Sequence, residues 1–382
     1  MPRRTLEYGS WPGHDQVWLL RAALLDGDEA RDAWHQWSHR VDLDAIEAGS
    51  FRLLPLLYRN MRRLGIDSPV LGRIQGVVRH TWYKNHLVVG RLADLLRECR
   101  AAGLPTMVLK GIPLAIRYYG ALSWRPMADA DLLVPARRAV EALPIVRAAG
   151  WRSMVEPVVW PPRCTASCAF VNDLAVELDL HDHVLQESVG ASADDEFWAA
   201  AEPIEVGGEM TSALGPADQL LHTIAHGFRR STVSPVRWVA DATMVIRGAG
   251  ERLSWDRLVA QTRARRLSRI VARSLRYLVD TIQVPIPETA IGALESTPAS
   301  MIERVECWAR AEPGAARFVA EGWCDYARAR ARTDDWLGPL GLARYLRDRL
   351  RVPSLWRVPG AAASVIVSTA LTSTPWAPRP RR

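Results

Sequence analysis

Two aspartates at the start of a short apolar run constrain the fold of this 382-residue chain more than any other feature. Asp129 and Asp131 stand two residues apart, and the apolar run 132–134 follows them. This pattern predicts a β-strand, in which residues i and i+2 project from the same face. Two carboxylates that lie so close repel each other, and a divalent cation relieves that repulsion. Mg²⁺ prefers one or two carboxylates together with substrate phosphates, so the pair predicts a magnesium site. The alternative is a pair of acids in an exposed turn.

A second apolar run, residues 106–109, ends in Lys110 and Gly111 and is followed by a predicted helix at 112–119. Glycine lets the backbone approach a phosphate closely, and a helix N-terminus attracts anions. The chain has two lysines against 47 arginines, and a compact ammonium is not equivalent to a guanidinium at a tight phosphate site. We therefore predict that Lys110 contacts phosphate. The alternative is a solvated lysine at the end of a strand.

Residues 176–181 alternate between apolar and acidic side chains, which is the period of a β-strand. Glu177 and Asp179 would share one face with His181, and this face could complete the metal site that Asp129 and Asp131 begin. Two-metal phosphoryl transfer uses acidic ligands of this kind, with one carboxylate placed to accept a proton. The alternative is an amphipathic edge strand with solvated acids.

Together these segments resemble a bacterial family of nucleotidyltransferases, a branch of the DNA polymerase β-like nucleotidyltransferase superfamily. The resemblance rests on Leu-Lys-Gly at 109–111, Arg-Pro-Met-x-Asp-x-Asp-Leu-Leu-Val at 125–134 and Glu-Leu-Asp-Leu-His at 177–181. Helical segments at 53–58, 218–226 and 237–241 are also similar to that family.

The resemblance implies a small mixed sheet whose three carboxylates hold one or two Mg²⁺ ions, with Mn²⁺ as an alternative. It also implies that an acceptor attacks the α-phosphorus of a nucleoside triphosphate and releases pyrophosphate. By position, Asp129 and Asp131 would be metal ligands, and Asp179 would be the third ligand and the general base. Lys110 and Gly111 stand where the superfamily usually has Gly-Ser, so recognition of the triphosphate must differ.

Several further residues are candidates for the site. Arg125 would neutralise phosphate charge or hold the aspartate loop, and Gly111 would lie beside the nucleotide. His222 and His226 are four residues apart on a predicted helix and therefore face one way. One of them would touch the acceptor or the nucleotide, unless both serve as helix caps or as hydrogen-bonding groups of the core. Asp241 is expected to form an intrahelical salt bridge more readily than to act in catalysis.

Composition favours a soluble cytoplasmic protein. The five cysteines are odd in number and irregularly spaced, so neither a disulfide framework nor a zinc ribbon is indicated. No signal peptide is recognised, and the most apolar late stretch, residues 361–371, is too short to cross a bilayer. The net charge is +7, but the arginines alternate with acids and the cluster at 263–269 is expected to be a solvated face. Neither a membrane nor nucleic acid is therefore an expected partner.

We predict an α+β protein in which a nucleotidyltransferase-like catalytic sheet domain, residues 104–215, lies between two helical regions. The N-terminal helical region would span 15–103 and the C-terminal one 216–350. Residues 1–14 are expected to be disordered, and 351–382 to form a loose tail rich in proline and arginine. Gly207 and Gly208 are expected to form a hairpin turn.

The predicted function is magnesium-dependent transfer of a nucleotidyl group to an unidentified small-molecule, peptide or protein acceptor. One alternative is kinase-like transfer of the γ-phosphoryl group from the same site. The other is a non-catalytic protein that binds a partner through a nucleotidyltransferase fold.

Overall fold

A mixed sheet of seven strands forms the centre of the described chain. The computed structural model describes residues 10–156, 158–229, 231, 233–311 and 315–372. The strands are β1 Met107–Val108, β2 Asp129–Leu133, β3 Arg152–Ser153, β4 Ser167–Val171, β5 Glu177–His181, β6 Glu202–Val206 and β7 Glu209–Ala213. The predicted α+β fold with a mixed sheet is confirmed.

Helices precede the sheet, connect its strands and follow it. Before and within the sheet they are α1 His14–Leu24, α2 Gly27–Ser38, α3 Ala48–Phe51, α4 Leu54–Arg63, α5 Pro69–Ala101, α6 Gly111–Leu114, α7 Ala139–Ala148 and α8 Asp195–Ala199. After it they are α9 Pro216–Gly227, α10 Arg237–Ala249, α11 Trp255–Ala264, α12 Ser268–Ile282, α13 Glu288–Glu295, α14 Met301–Ala311, α15 Ala315–Ala329, α16 Gly341–Leu350 and α17 Val358–Thr372. A π-helical turn, Ala115–Tyr119, continues α6.

The strand order β3-β4-β5-β2-β1-β7-β6 places β2 at the middle of the sheet. Strand β2 runs parallel to β5, and this register sets Asp129 beside Glu177 and Asp131 beside Asp179. Strand β1 pairs antiparallel with β2 on the other side, so the chain segment that ends in Lys110 also reaches β2. Because residues opposite each other on paired strands face the same side, the sheet brings the three predicted segments together.

The other face of the sheet is apolar and packs against α5 and α7. Leu132, Leu178 and Phe170 from the sheet are fully buried with Leu92 and Val88 of α5. Helix α5 runs unbroken for 33 residues, although Gly72, Gly76 and Gly90 in its sequence would predict breaks. Its glycines do not interrupt it, because helix geometry tolerates glycine at a modest cost.

The hairpin between β6 and β7 is confirmed. Gly207 and Gly208 have φ angles of 58° and 86°, and a two-residue turn with positive φ at both positions matches the twist of the flanking strands.

Both chain ends differ from the expectation where the structure describes them. Residues 10–13 are ordered: Ser10 is buried, and its hydroxyl donates to the backbone oxygen of Arg310 at 2.9 Å, while Trp11 packs edge-on against Phe228. The expected loose tail instead carries α17. The remainder of both predictions, residues 1–9 and 373–382, lies outside the described residues.

The arginine cluster at 263–269 is only partly the solvated face that we expected. Arg263, Arg266 and Arg269 are exposed, but Arg265 is 7% exposed and lies over the ring of Phe197 at 3.9 Å. In the described part of the chain, no helix is long and apolar enough to cross a membrane.

Candidate active site

Three side chains of β2 and β5 converge on one small volume. Asp131, Asp179 and His181 each offer one atom to a group whose members lie within 4.8 Å of one another, and the structure contains no other such group among its described residues. Asp131 is 2% exposed, whereas the side chain of Asp179 is 27% exposed and opens the site to one side. We call Asp131, Asp179 and His181 the acid cluster.

Lys110 lies against the acid cluster. Its Nζ donates to Asp131 Oδ1 at 2.5 Å and lies 3.7 Å from Asp179 Oδ2. The side chain is 17% exposed, so the alternative of a solvated lysine is wrong. The backbone of Lys110 has φ 50° and ψ −110°, an uncommon conformation for a residue with a side chain. Strain of this kind persists where the surrounding structure enforces it, as functional sites often do.

Asp129 lies at the start of β2 and is half-buried, outside the group of three. The pKa of Asp129 is raised above its usual value, first by the negative charge of Asp131 and then by burial. The pKa of Asp179 is also raised, first by burial and then by Asp131. The carboxylates therefore repel one another although Lys110 lies among them, and the site carries uncompensated negative charge. Glu177, the other acid of β5, is exposed.

His181 is a neutral member of the acid cluster. It is 3% exposed, and burial, with the nearby charge of Lys110, lowers its pKa to about 3. Its Nε2 lies 3.0 Å from Asp131 Oδ1. A neutral imidazole with its proton on Nε2 donates this hydrogen bond.

A cavity of about 250 Å³ opens beside Lys110, and we call it the cationic cleft. Five of its lining residues carry positive charge: Arg52, Lys110, Arg125, Arg229 and Arg237. Asp241 is the acid among its lining residues. The cleft therefore has an excess of positive charge directly beside the excess of negative charge on β2 and β5.

The cations of the cleft repel one another. Burial, and then the charge of Arg125, lower the pKa of Arg237 to about 10. The pKa of Arg52 is lowered too, first by burial, with Arg125 also contributing, although Asp129 acts in the opposite direction. An anion in the cleft would relieve this repulsion.

Arg125 is held rigidly in the wall of the cleft. Its Nε and Nη2 each donate to one oxygen of Asp241 at 2.8 Å, and the Tyr119 hydroxyl donates to the same carboxylate at 2.7 Å. Asp241 does lie 3.8 Å from Arg237 within α10, as expected, but the shorter pair with Arg125 joins α10 to the aspartate loop. The buried Nη1 of Arg125 has no hydrogen-bond partner among the described residues.

Gly111 is required by packing. A Cβ atom at this position would lie 2.7 Å from the sulfur of Met127 and 3.0 Å from Arg125 Nη1, so any side chain would displace the side chains of Met127 and Arg125. Helix α6 begins at Gly111 and continues through the π-helical turn to Tyr119, so the predicted helix is present and the anion site at its N-terminus stays a prediction.

The two histidines of α9 both line the cleft, with ring centroids 6.2 Å apart. His222 is 1% exposed, and neither of its ring nitrogens has a hydrogen-bond partner within the described ranges. Hydrogen bonding in the core, one of the expected alternatives, therefore does not explain His222. Burial and the charge of Lys110 keep its pKa well below the usual value. His226 is exposed.

The structure thus brings together most of the residues singled out from the sequence, while Glu177 faces solvent and Asp241 acts through Arg125. Sequence reasoning missed three arginines of the cleft, Arg52, Arg229 and Arg237. Arg52 and Arg229 carried no sequence signal among 47 arginines, whereas Arg237 begins a segment, 237–241, that resembles the family but was not singled out as a site residue.

Fold and site define a class of protein in which a carboxylate cluster on a mixed sheet borders a cleft rich in positive charge. The model of the family described as "Uncharacterised nucleotidyltransferase" matches residues 47–282, more than half of the chain. The chain belongs to this family. All residues of the acid cluster and the cationic cleft lie within the matched range.

One solved structure that the chain resembles is an antigenic nucleotidyltransferase-like protein from Paracoccidioides brasiliensis. The two share 12% sequence identity with a TM-score of 0.36, over 53% of this chain and 96% of that chain. No curated protein matches the chain.

Proposed function

We propose that the protein is a divalent-metal-dependent nucleotidyltransferase that uses a nucleoside triphosphate. The observation that carries the proposal is that the carboxylates of β2 and β5, with an excess of negative charge, lie directly beside the cationic cleft, with an excess of positive charge. On one side, the charge of Asp131 and then burial raise the pKa of Asp129, and burial and then the charge of Asp131 raise that of Asp179. On the other side, burial, with the charge of Arg125 also contributing, lowers the pKa of Arg237 and of Arg52. A metal ion bound with a triphosphate supplies both a cation and a polyanion, and it would neutralise both halves at once.

The acid cluster fits a divalent metal. Asp131 and Asp179 supply carboxylate oxygens, which suit Mg²⁺ and Mn²⁺, and Asp129 lies next to them on β2. His181 would add a nitrogen ligand, which favours Mn²⁺ over Mg²⁺ relative to an all-oxygen site. When bound, the metal would polarise the phosphate oxygens and stabilise charge that develops on them.

The cationic cleft fits the triphosphate. Arg52, Arg229 and Arg237 would hold phosphate oxygens, and the unpartnered Arg125 Nη1 would donate to another. Lys110 borders both halves, since it contacts Asp131 and also lines the cleft. Without a metal, its ammonium offsets the negative charge of the acid cluster. With a metal bound to the carboxylates, the ammonium would be free to contact a phosphate.

We assign the acceptance of the proton to Asp179. It is the more exposed carboxylate of the acid cluster, so an acceptor hydroxyl can approach it. The oxygen of an acceptor hydroxyl would form a bond to the α-phosphorus while the bond from that phosphorus to the bridging α–β oxygen breaks. Pyrophosphate would leave, and the hydroxyl proton would pass to Asp179.

Parallel reactions with α-labelled and γ-labelled ATP test the proposal, with Mn²⁺ or Mg²⁺ present and a mixture of small alcohols as acceptors. We expect the α-label on the acceptor and the γ-label in pyrophosphate. The γ-label on the acceptor would show kinase-like transfer instead. Triphosphate binding without any transfer would show a binding protein. Either result would overturn the proposal.

The matched control replaces an exposed acid on the edge strand β6. Glu205→Gln removes the same charge as an aspartate-to-asparagine change, but Glu205 is exposed on a strand remote in sheet order from β2 and β5. We expect Glu205→Gln to keep the wild-type rate.

A further inference from the structure

A second and larger cavity, which we call the chamber, lies among α15, α16 and α17. Its volume is about 650 Å³, within the roughly 300–1,000 Å³ that small-molecule sites occupy. Its wall is mainly apolar and includes Phe318, Val319, Trp323, Leu342, Leu346 and Ile366. Sites for drug-sized molecules have this character, with a few polar groups that fix the orientation of the ligand.

The chamber borders the cationic cleft. Arg229 and Ser231 line both cavities. Arg229 forms a bidentate pair with the buried Glu187, at 2.8 and 3.1 Å, and Glu187 lies 3.3 Å from Arg310 in the chamber wall. This chain of ion pairs places charged groups at the end of the chamber that meets the cleft.

The two cavities also differ in their relation to the family. The cleft lies entirely within residues 47–282, which the family model matches. Most of the chamber wall comes from residues 310–366, beyond the end of that match. Chemistry shared by the family therefore belongs to the cleft, and the chamber is the part that can distinguish this chain.

We infer that the chamber binds the acceptor, and that the acceptor is a small molecule with an apolar, aromatic or aliphatic body and a hydroxyl group. The inference rests on the proposed function. The apolar body lies among α15, α16 and α17, and the hydroxyl points past Arg229 towards the triphosphate. Transfer then proceeds as described above: the hydroxyl oxygen bonds to the α-phosphorus, pyrophosphate leaves, and Asp179 takes the proton.

Gly322 allows the chamber to be blocked without disturbing the backbone. It lies in α15 and lines the chamber, and a Cβ atom at this position would have no heavy atom within 4 Å. Gly322→Leu therefore fills the chamber with a side chain that α15 accommodates. Gly292→Leu is the matched control, because Gly292 also lies in a helix with open space around its Cβ and does not line the chamber.

Binding is measured with 8-anilinonaphthalene-1-sulfonate, an aromatic probe whose fluorescence rises in apolar surroundings. We expect Gly322→Leu to raise the dissociation constant of the probe at least about tenfold and Gly292→Leu to leave it unchanged. Equal probe affinity in the wild type and Gly322→Leu would overturn the inference. In parallel, both variants should bind a non-hydrolysable triphosphate with Mn²⁺ as the wild type does. Absence of triphosphate binding in the wild type would instead count against the proposed function.

Transfer from α-labelled ATP then identifies the acceptor class. The wild-type protein is incubated with a set of apolar alcohols, 1-naphthol, 4-phenylphenol and 1-decanol, in one reaction. A second reaction contains a polar set, glycerol, glucose and serine. We expect labelled product from the first set, lost in Gly322→Leu and kept in Gly292→Leu. Product from the polar set alone, or product that survives in Gly322→Leu, would overturn the inference. No product from either set, with triphosphate binding intact, would instead count against the proposed function.

Discussion

The cationic cleft and the chamber meet at Arg229, yet they are built on opposite principles. The cleft is small, and five of its lining residues carry positive charge against one acid, Asp241, so that its cations remain in excess. The chamber is larger and mainly apolar, and its charged residues are already paired, as in the contact of Arg310 with Glu321 at 3.2 Å. The excess charge of the cleft fits a role in the transfer reaction. The apolar wall of the chamber, with its charged residues paired, fits a role in recognition of the acceptor.

The largest effect should come from removing one carboxylate of the acid cluster. Asp131→Asn and Asp179→Asn each take away a metal ligand, and we expect the rate of label transfer to fall by at least about 10²–10³-fold. Probe binding in the chamber should not change in either variant. Single-turnover transfer of the α-label measures the effect, and a near-normal rate at saturating metal would remove the residue from the site.

The next effect should appear in triphosphate affinity. Lys110→Ala and Arg237→Ala each remove a charge-assisted contact, worth about 1.5–3 kcal/mol, so the dissociation constant should rise roughly ten- to a hundredfold. Lys110→Arg should recover only part of the loss, because a planar guanidinium replaces a compact ammonium.

Calorimetric titration of a non-hydrolysable triphosphate with Mn²⁺ measures these affinities. Arg349→Ala is the matched control, because Arg349 lines the chamber and not the cleft. An equal loss of affinity in this control would show that the two cavities are not distinct in function.

A smaller effect concerns stability without metal. The charge pattern of the sequence alone predicts that neutralising either aspartate of β2 relieves repulsion. The structure corrects this for Asp131, which accepts the hydrogen bond from Lys110 at 2.5 Å. We expect Asp131→Asn to lower the free energy of unfolding by about 1–3 kcal/mol, and Asp129→Asn to leave it unchanged or to raise it. Urea denaturation in the presence of a chelator measures both, and equal effects would contradict the distinction.

The smallest expected effect is a pH dependence that arises in the chamber wall. Burial raises the pKa of Asp325 to about 6, more than the charge of Arg310 lowers it. Because this folded-state pKa lies above the unfolded value, Asp325 binds its proton more tightly in the folded protein. Its contribution to stability is therefore present below about pH 4 and is lost as the pH rises through about 6.

We expect Asp325→Asn to flatten this pH dependence of the free energy of unfolding by about 1–2 kcal/mol between pH 4 and pH 7. Urea denaturation across that range tests it. An unchanged slope would show that Asp325 titrates near its usual pKa.

The acid cluster could be predicted because its signals are local. The alternation of residues 176–181 and the spacing of Asp129 and Asp131 each follow from strand geometry, and the parallel pairing of β2 with β5 then set them side by side. Lys110 was visible because lysine is rare in this chain.

The cleft and the chamber could not be predicted in the same way. Arg52 and Arg237 lie far apart along the chain and meet only through tertiary packing, and each is one arginine among 47. Helix α17 lies within the C-terminal segment 351–382, whose composition predicts a loose tail, and its contacts with α15 and α16 hold it in position.

The central claim is that the acid cluster and the cationic cleft form one site for a metal and a triphosphate together. Its most direct test is calorimetric titration of a non-hydrolysable triphosphate into wild type and Asp131→Asn, each with Mn²⁺ and with a chelator. We predict that Mn²⁺ raises the affinity of the wild type at least about tenfold and that this gain disappears in Asp131→Asn. Equal affinity of the wild type with and without Mn²⁺, or the same gain in Asp131→Asn, would contradict the account.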